Sequence, residues 1–94
     1  MKATILRQEK ERLLFALGEV VRERRLALGI SQEELAEKSG LHRTYVSDVE
    51  RGLRNLTLGA LWFLSNGLCI KLTDLVGLIE TRANERASDQ DLPT

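Results

Sequence analysis

A chain of 94 residues, 43% hydrophobic and 30% charged, can fill one core but not two. Its single cysteine, Cys69, excludes an intrachain disulfide, and Cys69 with the single histidine, His42, cannot complete a tetrahedral metal site, so neither metal nor cofactor is expected. Fourteen basic and fourteen acidic side chains cancel, yet residues 1–72 carry twelve basic against nine acidic groups and residues 73–94 two against five, so an acidic end masks a mildly basic domain.

Helical spacing dominates from the start, and the lone proline, Pro93, interrupts nothing. Residues 3–28 are rich in Glu, Arg, Leu and Ala and predict a first helix, either one long rod or an N-terminal piece followed by a second from about Leu17. Gly29 closes it. Ser31-Gln32-Glu33-Glu34 is a capping box that starts the second helix, and Ser39-Gly40 ends it. A third helix runs from near His42 to Arg51 and stops at Gly52. Thr57 is the expected N-cap of a fourth helix reaching Leu68, with Leu58, Leu61, Leu64 and Leu68 at core spacing. A fifth covers residues 73–82. The domain division is therefore an N-terminal helical extension (residues 1–16), an all-α, five-helix body (residues 17–82) and a disordered polar tail (residues 83–94).

Export and membrane readings have little support. The longest uncharged run, residues 55–70, has 16 residues with polar interruptions, short of the roughly 20 a spanning helix needs. The charged start lacks the apolar segment of a signal peptide, and a cytoplasmic location is the expectation. No nucleophile–base grouping, phosphate-binding glycine loop or paired carboxylates occur, so an enzyme is not predicted.

The third helix carries the functional signal. At 100° per residue, Arg43, Ser47, Arg51, Thr44 and Asp48 share one arc, while Tyr45, Val46 and Val49 occupy the other. The valines belong to the core, so the polar arc points outward. Arg, Ser, Thr and Asp are the side chains that read base edges, and a major groove is about one helix wide. Such an arc also occurs on ordinary solvated helices. The flanks favour nucleic acid: Arg54 and Asn55 follow without a nearby acid, Thr57 opens a helix whose N–H groups can meet a phosphate, and Gln32 points an amide the same way.

The stretch from Leu17 to Leu75 resembles the Cro/repressor-type (XRE) helix-turn-helix family, a lambda-repressor-like fold. The resemblance is carried by Arg22-Glu23-Arg24-Arg25-Leu26, Gly29-Ile30-Ser31-Gln32-Glu33-Glu34-Leu35-Ala36, Ser39-Gly40-Leu41 and Val49-Glu50-Arg51-Gly52. Within the family, Arg43-Thr44-Tyr45-Val46-Ser47 and Arg54-Asn55-Leu56-Thr57 are similar to restriction–modification controller proteins. The resemblance implies a homodimeric regulator on a near-palindromic operator of double-stranded DNA, blocking or recruiting RNA polymerase. It implies base reading by Arg43, Thr44, Ser47 and Asp48, backbone contacts by Gln32, Tyr45, Arg54, Asn55 and Thr57, and a structural brace between Arg25 and Glu50. Leu56 replaces a common proline, and Cys69 stands where the family usually has glycine. A left-handed Cys69 costs about 1 kcal/mol, unless the helix runs on; the side chain itself is expected to pack as a small hydrophobe.

Trp62 and Phe63 cannot both share the core face of the fourth helix. Either they pack on Leu13, Leu14 or Phe15, or they form a subunit interface, where aromatic residues are enriched. Leu75 and Ile79 carry the same ambiguity and are further interface candidates. An antitoxin-like protein-interaction module, with DNA binding secondary, is the alternative.

Overall fold

A computed structural model describes residues 2–91. Five helices make up the fold: α1 (Lys2–Ala27), α2 (Gln32–Ser39), α3 (Arg43–Glu50), α4 (Leu58–Gly67) and α5 (Leu72–Asp91). The caps are those the residue types favour. Ser31 Oγ accepts from the Glu34 N–H at 3.0 Å, and Glu34 Oε1 accepts from the Ser31 N–H at 3.0 Å. Thr57 Oγ1 accepts from the Ala60 N–H at 3.1 Å. Gly40 takes the left-handed conformation (φ 69°) that ends α2.

Twelve buried residues form one core: Ala16, Leu17, Val20 and Val21 of α1, Leu35 and Ala36 of α2, Val46 and Val49 of α3, and Leu64, Leu68, Leu75 and Ile79 from the C-terminal part of the chain. Two glycines let helices approach closely. A Cβ on Gly18 would lie 2.6 Å from the Glu50 carbonyl oxygen and 2.7 Å from that of Val49, so α1 packs directly on the end of α3. A Cβ on Gly67 would collide with Ser39, which sets the α2–α4 contact.

Several sequence expectations change. α1 is unbroken from Lys2, so the division at residues 16 and 17 falls inside a continuous helix whose Ala16 and Leu17 are buried. α5 does not stop at Arg82; residues 83–91 continue it, and only 92–94 of the expected tail lie outside the described residues. The cause is a set of ties to α1. Arg82 donates to both carboxylate oxygens of Glu23 (2.7 and 2.8 Å), and Arg86 donates to Glu19 (3.1 Å) and stacks on Phe15 (4.7 Å). As α5 advances, its partners step back along α1, so the two helices run antiparallel.

Leu75 (0% exposed) and Ile79 (6%) are core residues of the subunit, which corrects their reading as interface candidates. Their line on α5 faces α1 and α4. Leu58 is not core: it lies about 120° around α4 from Leu64 and is 71% exposed. Cys69 is exposed rather than packed and adopts φ 55°. Arg24 holds this turn, donating through Nε to the Leu68 carbonyl and through Nη2 to that of Cys69, each at 3.0 Å. Trp62 and Phe63 are about half exposed. Among the described residues, no single helix is long and apolar enough to cross a membrane.

Candidate nucleic-acid interface

α3 has two faces because its valines are completely buried while its opposite edge is open. Val46 and Val49 are 0% exposed. Arg43 and Thr44 are exposed at the start of the helix, and Ser47 and Asp48 are half-buried along the same edge. The helix follows α2 after a short turn at Gly40 and Leu41, whose N–H donates to the Ala36 carbonyl at 2.9 Å. That turn fixes the angle at which the edge is presented.

Beneath this edge lies a buried ion pair. Arg25 Nε donates to Glu50 Oε2 at 2.6 Å and Nη2 to Oε1 at 3.0 Å. Arg25 Nη1 also donates to the Ile30 carbonyl (3.0 Å), and Gln32 Nε2 to Glu50 Oε1 (3.1 Å). The Glu50 hydrogen bonds raise the Arg25 pKa above its ordinary value, against the opposing effect of burial. α1 and α2 thus meet α3 on the Glu50 carboxylate, and the Arg25 guanidinium also ties in the α1–α2 turn through the Ile30 carbonyl. Gln32, expected at the DNA backbone, has its amide on Glu50 in this structure.

The outer edge has a looser set of charges. Asp48 Oδ2 lies 3.4 Å from Arg54 Nε, and Oδ1 lies 3.9 Å from Arg51 Nη1. Arg54 in turn stacks over Tyr45, 4.9 Å from the ring centroid. The pair Arg43–Glu33 spans 3.8 Å and is well exposed on both sides. Tyr45, Asp48, Arg51 and Arg54 therefore come together, while Arg43, at the start of α3, meets Glu33 of α2. Asn55 and Thr57 are exposed beside this cluster, with the Thr57 oxygen already serving as the α4 cap. Among the described residues, no three His, Cys, Asp or Glu side chains are disposed to hold a metal ion.

Sequence reasoning placed Arg51 on the polar arc but gave it no role. Its position three residues after Asp48 was the available signal. The contact of Gly18 with α3 has no local signature in the sequence, because Val49 and Glu50 lie over thirty residues away.

The helix-turn-helix family pattern matches residues 21–75. The control protein C.BamHI of Bacillus amyloliquefaciens is 47% identical over 66 residues, covering 69% of this chain and 79% of the relative. The crystal structure of the restriction–modification controller protein C.AhdI from Aeromonas hydrophila is similar with a TM-score of 0.64 and 47% identity, covering 66% of this chain and 94% of that one. The controller protein C.Esp1396I, solved as a tetramer with its natural 35 base-pair operator, is similar with a TM-score of 0.70 and 37% identity, covering 76% of this chain and 93% of that one.

Proposed function

The chain belongs to the helix-turn-helix family and is related to restriction–modification control proteins, and from that premise we propose that it is a transcription regulator that binds operator DNA as a homodimer. The observation that carries this reading is the split of α3: two valines with no exposure on one side, and exposed Arg43 and Thr44 with half-buried Ser47 on the other. Arg43 would take a guanine bidentately, while Thr44 and Ser47 would bond neighbouring base edges. Asp48 would accept from a cytosine amine, keeping Arg54 and Arg51 beside it as cover against phosphate repulsion. Tyr45, Arg54, Asn55 and the N–H groups that follow Thr57 would hold the sugar–phosphate backbone. Gln32 would reach a phosphate by leaving Glu50, which keeps both Arg25 bonds.

A dimer would pair two recognition helices about 34 Å apart on a near-palindromic site. Trp62, Phe63 and Leu58, exposed on α4, supply apolar surface for its interface. Occupancy of a promoter in the cytoplasm would then block or recruit RNA polymerase. Selection of bound fragments from a random DNA pool at stated salt tests the reading. A palindromic consensus is expected; recovery of fragments without a consensus would overturn sequence-specific binding.

A further inference from the structure

The N-terminal half of α1 lies ahead of the family pattern, which begins at residue 21, and C.AhdI matches along 94% of its length with only 66% of this chain. This arm is a regular helix that carries Lys2, Arg7, Lys10 and Arg12 against Glu9 and Glu11. Glu9 and Glu11 both line the cleft between α1 and α5, with Arg12, Phe15 and Arg86. Glu9 lies 3.9 Å from Arg12 there. Arg7 and Lys10 do not line that cleft; both are exposed, and among the described residues neither makes an ion pair.

The direction in which Arg7 and Lys10 point follows from the contacts of the same helix lower down. Gly18 abuts the Val49 and Glu50 carbonyls, Arg25 holds Glu50, and the Leu14 backbone is 3.6 Å from where a Gly52 Cβ would be. Leu14, Gly18 and Arg25 therefore mark the α3-facing line of α1. At 100° per residue Arg7 falls within about 20° of Leu14 and Gly18 on that line, and Lys10 lies one turn before Leu14. Asn55 and Leu56 of the α3–α4 loop share a cleft with Leu13, Leu14 and Leu17. Lys10 and Arg7 are thus the next two cations beyond the loop that carries Arg54, on the same side of the molecule, roughly 6 and 10 Å further along the α1 axis.

We propose that the N-terminal half of α1 is a DNA-backbone arm, with Arg7 and Lys10 contacting phosphates next to those held by the α3–α4 loop. The inference rests on the DNA-binding reading above and extends the contacted surface beyond the part of the chain shared with the family. A polyanion fits because Arg7 and Lys10 are exposed and, among the described residues, unpaired, and because basic side chains outnumber acidic ones four to two in residues 2–14. The contacts carry no sequence information.

The test uses the full chain with the double substitution Arg7→Gln and Lys10→Gln, titrated onto the selected operator over a series of salt concentrations. Two lost phosphate contacts should make the slope of log K against log salt shallower by about 1.8, so that wild type loses roughly tenfold more affinity than the variant between about 50 and 200 mM salt. The ranking of operator sequences should not change. Circular dichroism checks that the variant is folded, and sedimentation at the same concentration reads its association state. An unchanged slope in a folded variant overturns the inference. So does a loss that tracks dissociation into monomers, which would assign the arm to a second copy of the chain. Arg43→Ala separates the two levels: if wild type and this control bind every sequence alike, the operator reading itself has failed and the arm falls with it, whereas specific binding with an unaltered slope removes the arm alone.

Discussion

Two arginine–carboxylate sets flank the same short helix and differ in almost every physical respect. Behind α3, Arg25 and Glu50 are nearly buried, joined at 2.6 and 3.0 Å, and supplemented by Ile30 and Gln32. In front, Asp48 meets Arg54 at 3.4 Å and Arg51 at 3.9 Å, with both arginines largely in solvent. The rear pair cannot exchange its partners without leaving a buried charge, so it fixes geometry. The front set is weak enough for a phosphate or a base to replace a carboxylate at little cost. Residue type alone does not distinguish a brace from a reader; burial and bond geometry do.

The largest effect should come from breaking the rear pair. Arg25→Ala leaves Glu50 buried and is expected to destabilise the fold by about 3 kcal/mol, read by urea unfolding. A loss below 1 kcal/mol would place this pair in the same class as the front set. Gly18→Ala attacks the same junction through sterics. Overpacking against fixed backbone carbonyls should cost about 1–3 kcal/mol, of which a gain of about 1 kcal/mol in helix propensity offsets only part. An unchanged or raised melting temperature would mean that α1 and α3 separate easily.

At the front, Arg43→Ala should leave stability unchanged and cost about 1–3 kcal/mol of binding to the selected operator, with relaxed preference at one base pair. An unaltered isotherm would remove Arg43 from the readers. Arg54→Ala should weaken all sequences equally and reduce the salt slope by about 1; a loss confined to one base pair would move it to the base-reading set. The smallest effect lies on the far side of α1. Arg82 lowers the Glu23 pKa below the ordinary 4.5 through its hydrogen bonds, so the contribution of this pair is complete above that value and fades as pH falls through the lowered folded value. Because Glu23 is exposed, Glu23→Gln should cost no more than about 0.5 kcal/mol at pH 7 and nothing in strong acid.

The parts of this molecule that are legible in sequence are those with local signatures. The capping box at Ser31–Glu34, the glycine stops and the valine–arginine split of α3 depend on residues within one or two turns of each other. What was hidden depends on contacts between distant segments. The helical continuation of α5 rests on Arg82 and Arg86 meeting Glu23, Glu19 and Phe15, some sixty to seventy residues away. Leu75 and Ile79 become core only because α1 and α4 close over them, and Leu58 becomes surface because the inward direction of α4 is set by Leu64 and Leu68. Gln32 looked free from sequence because Glu50, eighteen residues on, is brought to it by the fold.

The most direct measurement is a backbone-amide NMR titration of the full chain with its selected operator duplex. The account predicts the largest shift changes at Arg43, Thr44, Ser47 and Asp48, a second set across Arg54, Asn55 and Thr57, and little change at Val46 and Val49 beyond their position in the same helix. Changes centred on Trp62, Phe63 and α5, with residues 43–48 unmoved, would contradict it.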